Sequence, residues 1–187
     1  LVRTACARYP EAVACEMQTG GAWSTLTYAQ LLERVERRAG YWQALGLAPT
    51  ERVVLAGDSG SDWVINYLSV SFLGGVVVPV DPLTAPDEVA RIADFVQATA
   101  LIATVDLLDS VQALDEWSGH AIDWHSGEPQ ASDRQGPAPD SPAPVCFVEP
   151  ELDAWMEASI IFTSGTRVDP RGVVLSHANL IADLLGL

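Results

Sequence analysis

Lysine is absent from the sequence, and all ten basic residues are arginine. Aspartate and glutamate together number 25, which gives the 187-residue chain a formal net charge of -15. A surface with this excess of negative charge repels the phosphates of nucleic acids and of anionic lipids. The composition therefore argues against nucleic acid and charged membrane surfaces as general electrostatic partners, and a polyanionic ligand would need a local cluster of arginines.

Cysteine is also scarce, and Cys6, Cys15 and Cys146 form no close pair. An odd, scattered set predicts neither a disulfide framework nor a metal site, and it favours a reducing compartment. The first ten residues carry Arg3 and Arg8 without a long apolar core, so no signal peptide is predicted. We therefore expect a cytoplasmic protein. Because the chain begins without methionine, we also expect a fragment or a trimmed chain.

A long uninterrupted hydrophobic run is missing as well. The longest apolar stretch, residues 63–80, contains Asn66, two serines, two glycines and Pro79, which predicts a buried helix and then a buried strand rather than a transmembrane segment. Hydrophobic residues nevertheless make up 49% of the chain, which is enough for a real core. The length predicts one domain, or one domain and part of a second.

Strand and helix patterns alternate along the first part of the chain. The predicted elements are a hairpin at 13–18 and 23–27, a helix from Thr27 to Gly46 with a Thr27–Gln30 capping box, a strand at 52–56, a helix at 61–73, a strand at 76–80, a helix capped by Thr84, and a strand at 101–104. This order predicts an α/β fold with a doubly wound, mostly parallel sheet and flanking helices. Ligands of such folds bind at the carboxyl ends of the strands.

The composition divides the chain into three parts. Residues 1–125 are predicted to form an α/β N-terminal subdomain. Residues 126–150 contain six prolines and predict a surface excursion without a core element. Residues 151–187 are predicted to supply a strand at 158–162, a polar loop, a second strand at 172–175 and the opening of a helix from Ser176.

The polar loop combines hydroxyl groups, glycines and two cations. Residues 163–172 read Thr-Ser-Gly-Thr-Arg-Val-Asp-Pro-Arg-Gly, and Arg167 and Arg171 are the only arginine or lysine residues from position 138 onward. Hydroxyls and backbone N–H groups donate to phosphate oxygens, glycine permits close approach, and guanidinium groups neutralise charge. The loop therefore predicts a local anion site, although a hairpin with solvated arginines has the same composition. The spacing of a Walker A motif is absent.

This loop resembles the phosphate loop of the adenylate-forming superfamily, which includes acyl-CoA synthetases and usually runs TSGTTGxPKG. The matching positions are Thr163, Ser164, Gly165, Thr166, Pro170 and Gly172, and the departures are Arg167, Val168 and Arg171. The resemblance covers nearly the whole chain and continues at residues 26–28, 62–64, 75–79 and 173–180. The segments around Trp63 and 76–79 look most like long-chain fatty acyl-CoA ligases.

The resemblance implies the N-terminal part of an AMP-forming acyl-activating ligase. Such an enzyme converts a carboxylate, here a fatty acid, and ATP into an acyl-adenylate, and then forms a thioester with CoA. It implies ATP, Mg²⁺ and CoA as cofactors, and a phosphate site formed by Thr163, Ser164, Gly165, Thr166, Arg167, Arg171 and Gly172. The family's catalytic lysine and metal-binding motif lie further along, so no catalytic residue or metal ligand is expected in this chain. We expect the chain alone to be inactive without the C-terminal part, supplied in cis or in trans.

Two departures from the family pattern bear on ATP binding. If the loop needs a positive φ at Val168, the β-branched residue costs about 1–3 kcal/mol and hinders close approach to phosphate. Arg171 keeps the charge of the usual lysine but presents a planar fork instead of a point charge.

Two other readings of the sequence stay open. In the first, Ser59 within Gly57-Asp58-Ser59-Gly60-Ser61 is the nucleophile of a serine hydrolase, with Asp109 and His125 completing a triad; the plain alternative is a βα turn with Ser61 as a helix cap. In the second, the chain is a non-catalytic or split nucleotide-binding module. His177 follows Ser176 at a predicted helix start, which favours a structural role over a role in the site.

Overall fold

The structure is a computed structural model that describes residues 1–114, 117–126, 147–162 and 171–186. In chain order the elements within these ranges are α1 (Val2–Arg8), β1 (Val13–Thr19), β2 (Ala22–Thr27), α2 (Tyr28–Ala44), β3 (Arg52–Ala56), α3 (Ser61–Phe72), β4 (Val76–Val80), α4 (Pro86–Phe95), β5 (Ala100–Ala103), α5 (Val105–Gln112), β6 (His120–Asp123), β7 (Glu157–Phe162), β8 (Gly172–Ser176) and α6 (His177–Leu185).

The central sheet has six strands in the order β6-β5-β3-β4-β7-β8. The first five strands in that order run parallel, and β8 returns antiparallel to β7. Strands β1 and β2 form a separate antiparallel hairpin. The predicted α/β fold with a mostly parallel sheet and flanking helices is therefore confirmed.

Helices cover both faces of this sheet. Along β3, Val54 and Ala56 pack with α4 and α5 on one face, whereas Val53 and Leu55 pack with α2 and α3 on the other. Side chains alternate between the faces of a strand, so a strand covered on both faces is apolar at every position. This explains the continuous run Val-Val-Leu-Ala in β3. It also confirms that the long apolar stretch is a helix and a strand, α3 and β4.

The two connections that leave neighbouring strands β3 and β4 go to opposite faces. Helix α3 follows β3 on the face of α2, and α4 follows β4 on the face of α5. In a doubly wound sheet this divergence opens a crevice at the carboxyl ends of the two strands, where ligands bind. The fold therefore has its switch point between β3 and β4.

The helix starts show which local predictions succeed. The capping box is confirmed: the side chain of Thr27 accepts a hydrogen bond from the backbone of Gln30, and the Gln30 side chain accepts one from Thr27. The caps predicted at Thr84 and Ser61 are wrong. Helix α4 has Ala85 at its N-cap without a side-chain cap, and Pro86 sets the first helical position. Helix α3 starts after Gly60.

The segment 147–150 packs against α2 and α3. The Gln43 side-chain amide donates to the carbonyl of Val148 over 2.9 Å and accepts from its N–H over 3.0 Å. Phe147 lies beside Phe72, with ring centroids 6.2 Å apart. Residues 127–146, most of the predicted excursion, lie outside the described residues, so the division into three parts stays a prediction.

Two local features agree with the composition. Cys6 is buried and Cys15 half-buried; both are free thiols, and burial raises the pKa of each. In the described ranges no helix has the length and apolar character needed to cross a membrane. Cys146 lies outside those ranges.

Candidate functional site

The β7–β8 hairpin brings both ends of the polar loop to the carboxyl edge of the parallel sheet. Phe162, the last residue of β7, pairs with Gly172, the first residue of β8. Strand β7 runs parallel to β4, with Ser159 opposite Val77, and the Ser159 hydroxyl donates to the Val77 carbonyl over 2.9 Å. The loop therefore begins and ends at the edge where folds of this kind bind ligands.

Of the seven predicted phosphate-site residues, the structure describes two. Arg171 is exposed immediately before β8, at the carboxyl edge. Gly172 has a packing role, because a Cβ there would lie 2.6 Å from Cγ2 of Ile160 on the neighbouring strand. Thr163, Ser164, Gly165, Thr166 and Arg167, together with Val168, lie outside the described residues.

The N-terminus of α3 lies at the switch point and is a second position to consider for anion binding. A side chain of the protein already covers it. The thioether of Met17 on the β1 strand lies 2.8 Å from the backbone nitrogen of Ser61. A Cβ on Gly60 would also meet the Met17 sulfur at 2.8 Å. Asp62 adds a negative charge in the first turn. Anions favour uncovered helix N-termini, so this helix start is unsuited to phosphate.

The groups proposed for a hydrolase triad are not brought together. His125 Nδ1 lies 2.9 Å from Oδ2 of Asp62, on the side of the sheet covered by α2 and α3. Asp109 belongs to α5, which packs against the opposite face. The parallel strands β5 and β6 are joined by a crossover connection that contains α5. This helix lies on the face of the sheet opposite to His125. Ser59 therefore belongs to a βα turn, and the hydrolase reading is not favoured.

His177 lies at the opposite end of the hairpin from the loop. Strand β8 runs away from the carboxyl edge, and Ser176 pairs with Glu157, the first residue of β7. Five strand residues separate the loop end from His177, or about 17 Å at roughly 3.3 Å per residue. Ser176 caps α6 in a capping box with Asn179. Burial lowers the pKa of His177, and the structural role of this residue stays a prediction.

A partly buried polar network near the carboxyl end of β6 was not predicted. Arg38 on α2 donates to Oδ1 of Asn66 on α3 and, over 2.7 Å, to the carbonyl of His125. The amide nitrogen of Asn66 donates to the carbonyl of Trp124 over 3.1 Å. Desolvation by burial lowers the pKa of Arg38. The sequence feature that indicates this network is Arg38 itself. It places a cation on the apolar face of the helix, which also carries Leu31, Val35 and Trp42.

The described residues do not fit a resident metal ion. Within those ranges no group of three or more His, Cys, Asp or Glu side chains is arranged to hold one. Magnesium in nucleotide sites is bound by one or two carboxylates together with substrate phosphates. No magnesium ligand is therefore assigned to this part of the chain.

Comparison with known proteins gives one family and several relatives. The family described as AMP-binding enzyme matches residues 2–187. A hybrid PKS-NRPS synthetase from Trichoderma harzianum is 28% identical over 177 residues, covering 95% of this chain and 4% of the relative. A crotonobetaine/carnitine–CoA ligase from Escherichia coli is 26% identical over 182 residues, covering 90% of this chain and 34% of the relative.

The fold also has solved counterparts. A fatty acyl-adenylate ligase from L. pneumophila, in complex with acyl adenylate and pyrophosphate, superposes with a TM-score of 0.77 at 22% identity, over 98% of this chain and 31% of the ligase. This chain thus spans about a third of the length of the two ligases and a small fraction of the synthetase.

Proposed function

The chain belongs to the family of AMP-binding enzymes, and on that premise we propose that it is the N-terminal part of an AMP-forming acyl-activating ligase. The proposed enzyme joins a carboxylate to ATP and passes the acyl group to CoA. The observation that carries the proposal is the position of the loop: both of its ends lie at the carboxyl edge of the sheet, next to β4. Arg171 adds an exposed cation there, in a chain with a net charge of -15.

The role proposed for the loop is to hold the phosphates of ATP. When bound, ATP supplies the phosphoanhydride that activates the carboxylate. Arg171 neutralises phosphate charge, and Thr163, Ser164 and Thr166 donate hydroxyl hydrogens. Positioning and charge stabilisation of this kind lower a barrier without covalent participation by the protein. Gly172 supports the site indirectly, because its missing side chain lets β8 pack closely on Ile160.

A fatty acid is the proposed carboxylate, and the cytoplasm is the proposed location. The resemblance of residues 62–64 and 75–79 to long-chain fatty acyl-CoA ligases supports the substrate. In the structure Trp63 stacks on Tyr67 at 5.0 Å between ring centroids and packs against the core. Trp63 therefore serves to pack the core of the fold. We assign residues 62–64 and 75–79 no role in binding the acyl chain.

Replacing Arg171 should weaken ATP binding. Hydrogen bonds to charged groups contribute about 1.5–3 kcal/mol, so Arg171→Ala should raise the Kd for ATP about 10- to 100-fold. Arg171→Lys should recover part of the affinity, because it keeps the charge without the fork. The measurement is isothermal titration calorimetry with ATP, on the 187-residue chain and on the native protein from its source.

The matched control is Arg91→Ala, which removes an exposed arginine from α4 and leaves the loop intact. It should bind ATP like the unmodified chain. Equal affinities for the Arg171→Ala and unmodified proteins, or no ATP binding by the native protein, would contradict the proposal.

Without the remainder of the enzyme, the 187-residue chain should not catalyse the reaction. The chain holds the proposed phosphate loop but no group to which a covalent or proton-transfer step is assigned. Incubation with ATP, Mg²⁺ and a fatty acid should release no more pyrophosphate than the Arg171→Ala variant. Pyrophosphate release above that background would show that the chain is active by itself.

A further inference from the structure

Three arginines lie on one side of helix α2, which we call the arginine flank. Arg34, Arg37 and Arg38 are spaced by three and four residues, so their side chains leave the helix on the same side. Arg34 and Arg37 are exposed and Arg38 is half-buried. They are three of the ten arginines in a chain with a net charge of -15. Like charges at this spacing oppose helix formation, so the arrangement does not serve the stability of α2.

Among the described residues, two of these arginines have no ion-pair partner. No ion pair in residues 1–114, 117–126, 147–162 and 171–186 includes Arg34 or Arg37. Glu36 on the same helix is bonded instead to Arg3 of α1. Glu33 lies one turn before Arg37, but the two side chains form no ion pair in these ranges. The guanidinium groups of Arg34 and Arg37 are therefore available to an anion from solution.

Arg38 is a half-buried cation whose hydrogen-bond acceptors are uncharged. It donates to the side-chain oxygen of Asn66 and, over 2.7 Å, to the backbone carbonyl of His125. Taking a charge out of water is costly unless an opposite charge compensates it. An anion bound at the arginine flank would supply that opposite charge.

The nearby carboxylates do not neutralise the arginine flank. Burial lowers the pKa of Arg38, the other two arginines add to the lowering, and Asp62 and Asp123 offset only part of it. Both carboxylates also contact other groups. Oδ2 of Asp62 lies 2.9 Å from Nδ1 of His125, and Oδ1 of Asp123 accepts two hydrogen bonds from Ser126. The flank therefore keeps an excess of positive charge.

We propose that the arginine flank binds a phosphate group of a small molecule, with Arg34 and Arg37 contacting the phosphate oxygens and Arg38 adding positive charge behind them. The planar fork of arginine matches two oxygens of a phosphate, so each contact can be bidentate. A phosphate group that carries more than one negative charge also suits three neighbouring cations. A large polyanion is the weaker ligand, because the chain as a whole carries a net charge of -15.

This site is distinct from the loop proposed to hold the phosphates of ATP. Arg38 contacts the residues that follow β6, whereas the loop follows β7. Four strand spacings separate β6 from β7 in the sheet, or roughly 19 Å at about 4.8 Å each. The inference stands without the proposed function, because no residue of the loop takes part in it.

Calorimetric titration with pyrophosphate tests the proposal, in the 187-residue chain carrying Arg171→Ala to remove the cation of the loop. In that background, Arg34→Ala with Arg37→Ala should weaken binding at least about 10-fold, the effect of losing one charge-assisted hydrogen bond. The matched control is Arg8→Ala with Arg91→Ala. It removes two exposed arginines from α1 and α4, leaves the same net charge, and should bind pyrophosphate as the Arg171→Ala chain does.

The arginine side chains report the site directly. In nuclear magnetic resonance spectra, the Nε–H signals of Arg34 and Arg37 should shift during the titration, while those of Arg8 and Arg91 stay in place. Replacing both Arg34 and Arg37 by lysine should recover part of the affinity, because lysine keeps the charge without the fork. Circular dichroism of each variant checks that the fold is retained.

Three outcomes would overturn the proposal. The first is no binding of pyrophosphate by the Arg171→Ala chain. The second is an equal loss of affinity in the two double variants, which would show that net charge attracts the anion. The third is binding to phosphatidylserine vesicles that the Arg34→Ala/Arg37→Ala variant abolishes, without pyrophosphate binding, which would assign the flank to a lipid surface. Failure of the proposed function is seen separately, in ATP binding that Arg171→Ala leaves unchanged.

Discussion

Replacing Gly57 by alanine should lower the free energy of unfolding by about 1–3 kcal/mol, the range for overpacking a well-packed core. Gly57 is the buried residue that follows β3, and a Cβ there would fall inside the contact distance of three ring atoms of Trp124. Trp124 is 2% exposed and belongs to the core shared with α2 and α3. Urea unfolding followed by circular dichroism measures the loss.

A double-mutant cycle with Trp124→Leu identifies the cause. Leucine removes the ring atoms that the new methyl group would meet, so Gly57→Ala should cost far less in the Trp124→Leu background than in the natural chain. Residues in contact show such coupling, whereas distant sites add independently. Equal costs in both backgrounds would rule out the steric explanation. The result also bears on function, because it tests whether the Gly57–Gly60 turn is built for packing rather than for a nucleophile.

Replacing Asn66 by leucine should cost about 3 kcal/mol. The Asn66 side chain is fully buried, accepts from the Arg38 guanidinium and donates to the Trp124 carbonyl over 3.1 Å. Leucine has a similar volume but offers neither bond, so a half-buried cation and a carbonyl both lose a partner. Chemical denaturation of the two proteins gives the difference in free energy.

Asn66→Asp is the matched control for this prediction. Aspartate still accepts a hydrogen bond from Arg38 but lacks the N–H group that donates to the Trp124 carbonyl. The free energy of unfolding of Asn66→Asp should therefore lie between those of the natural chain and of Asn66→Leu. A leucine variant within about 0.5 kcal/mol of the natural chain, the usual range for surface substitutions, would show that the network adds nothing to stability. The network holds the chain beyond β6 against α2 and α3, on the same side of the sheet as the Gly57 turn.

The family pattern and the structure support the proposed phosphate site in different ways. The motif supplies the residue types, from Thr163 to Gly172. The structure supplies the location, because pairing of Phe162 with Gly172 closes the loop at the carboxyl edge of the sheet. Neither alone distinguishes a phosphate site from a solvated hairpin. Their agreement is the reason for testing Arg171 first.

Local sequence patterns were sufficient to predict those elements whose structure depends on interactions between residues close together in the chain. Strand β3 was predicted with its observed bounds because an apolar run between turn residues has few alternatives. The Thr27 cap was predicted because both of its hydrogen bonds lie within four residues. Thr84 failed as a cap because Pro86 starts the helix after Ala85 and leaves the threonine outside it. Helices α1 and α5 and strand β6 were not predicted, because short elements carry little periodicity.

The sequence by itself determined the α/β alternation, the hairpin, the apolar strands and the residue types of the proposed phosphate loop, since each follows from neighbours along the chain. Only the tertiary structure decided which strands are adjacent, that Met17 covers the start of α3 and that Trp124 requires Gly57. These depend on contacts between residues dozens of positions apart. Such contacts form only when the hydrophobic faces of several elements are buried together, which no local pattern encodes.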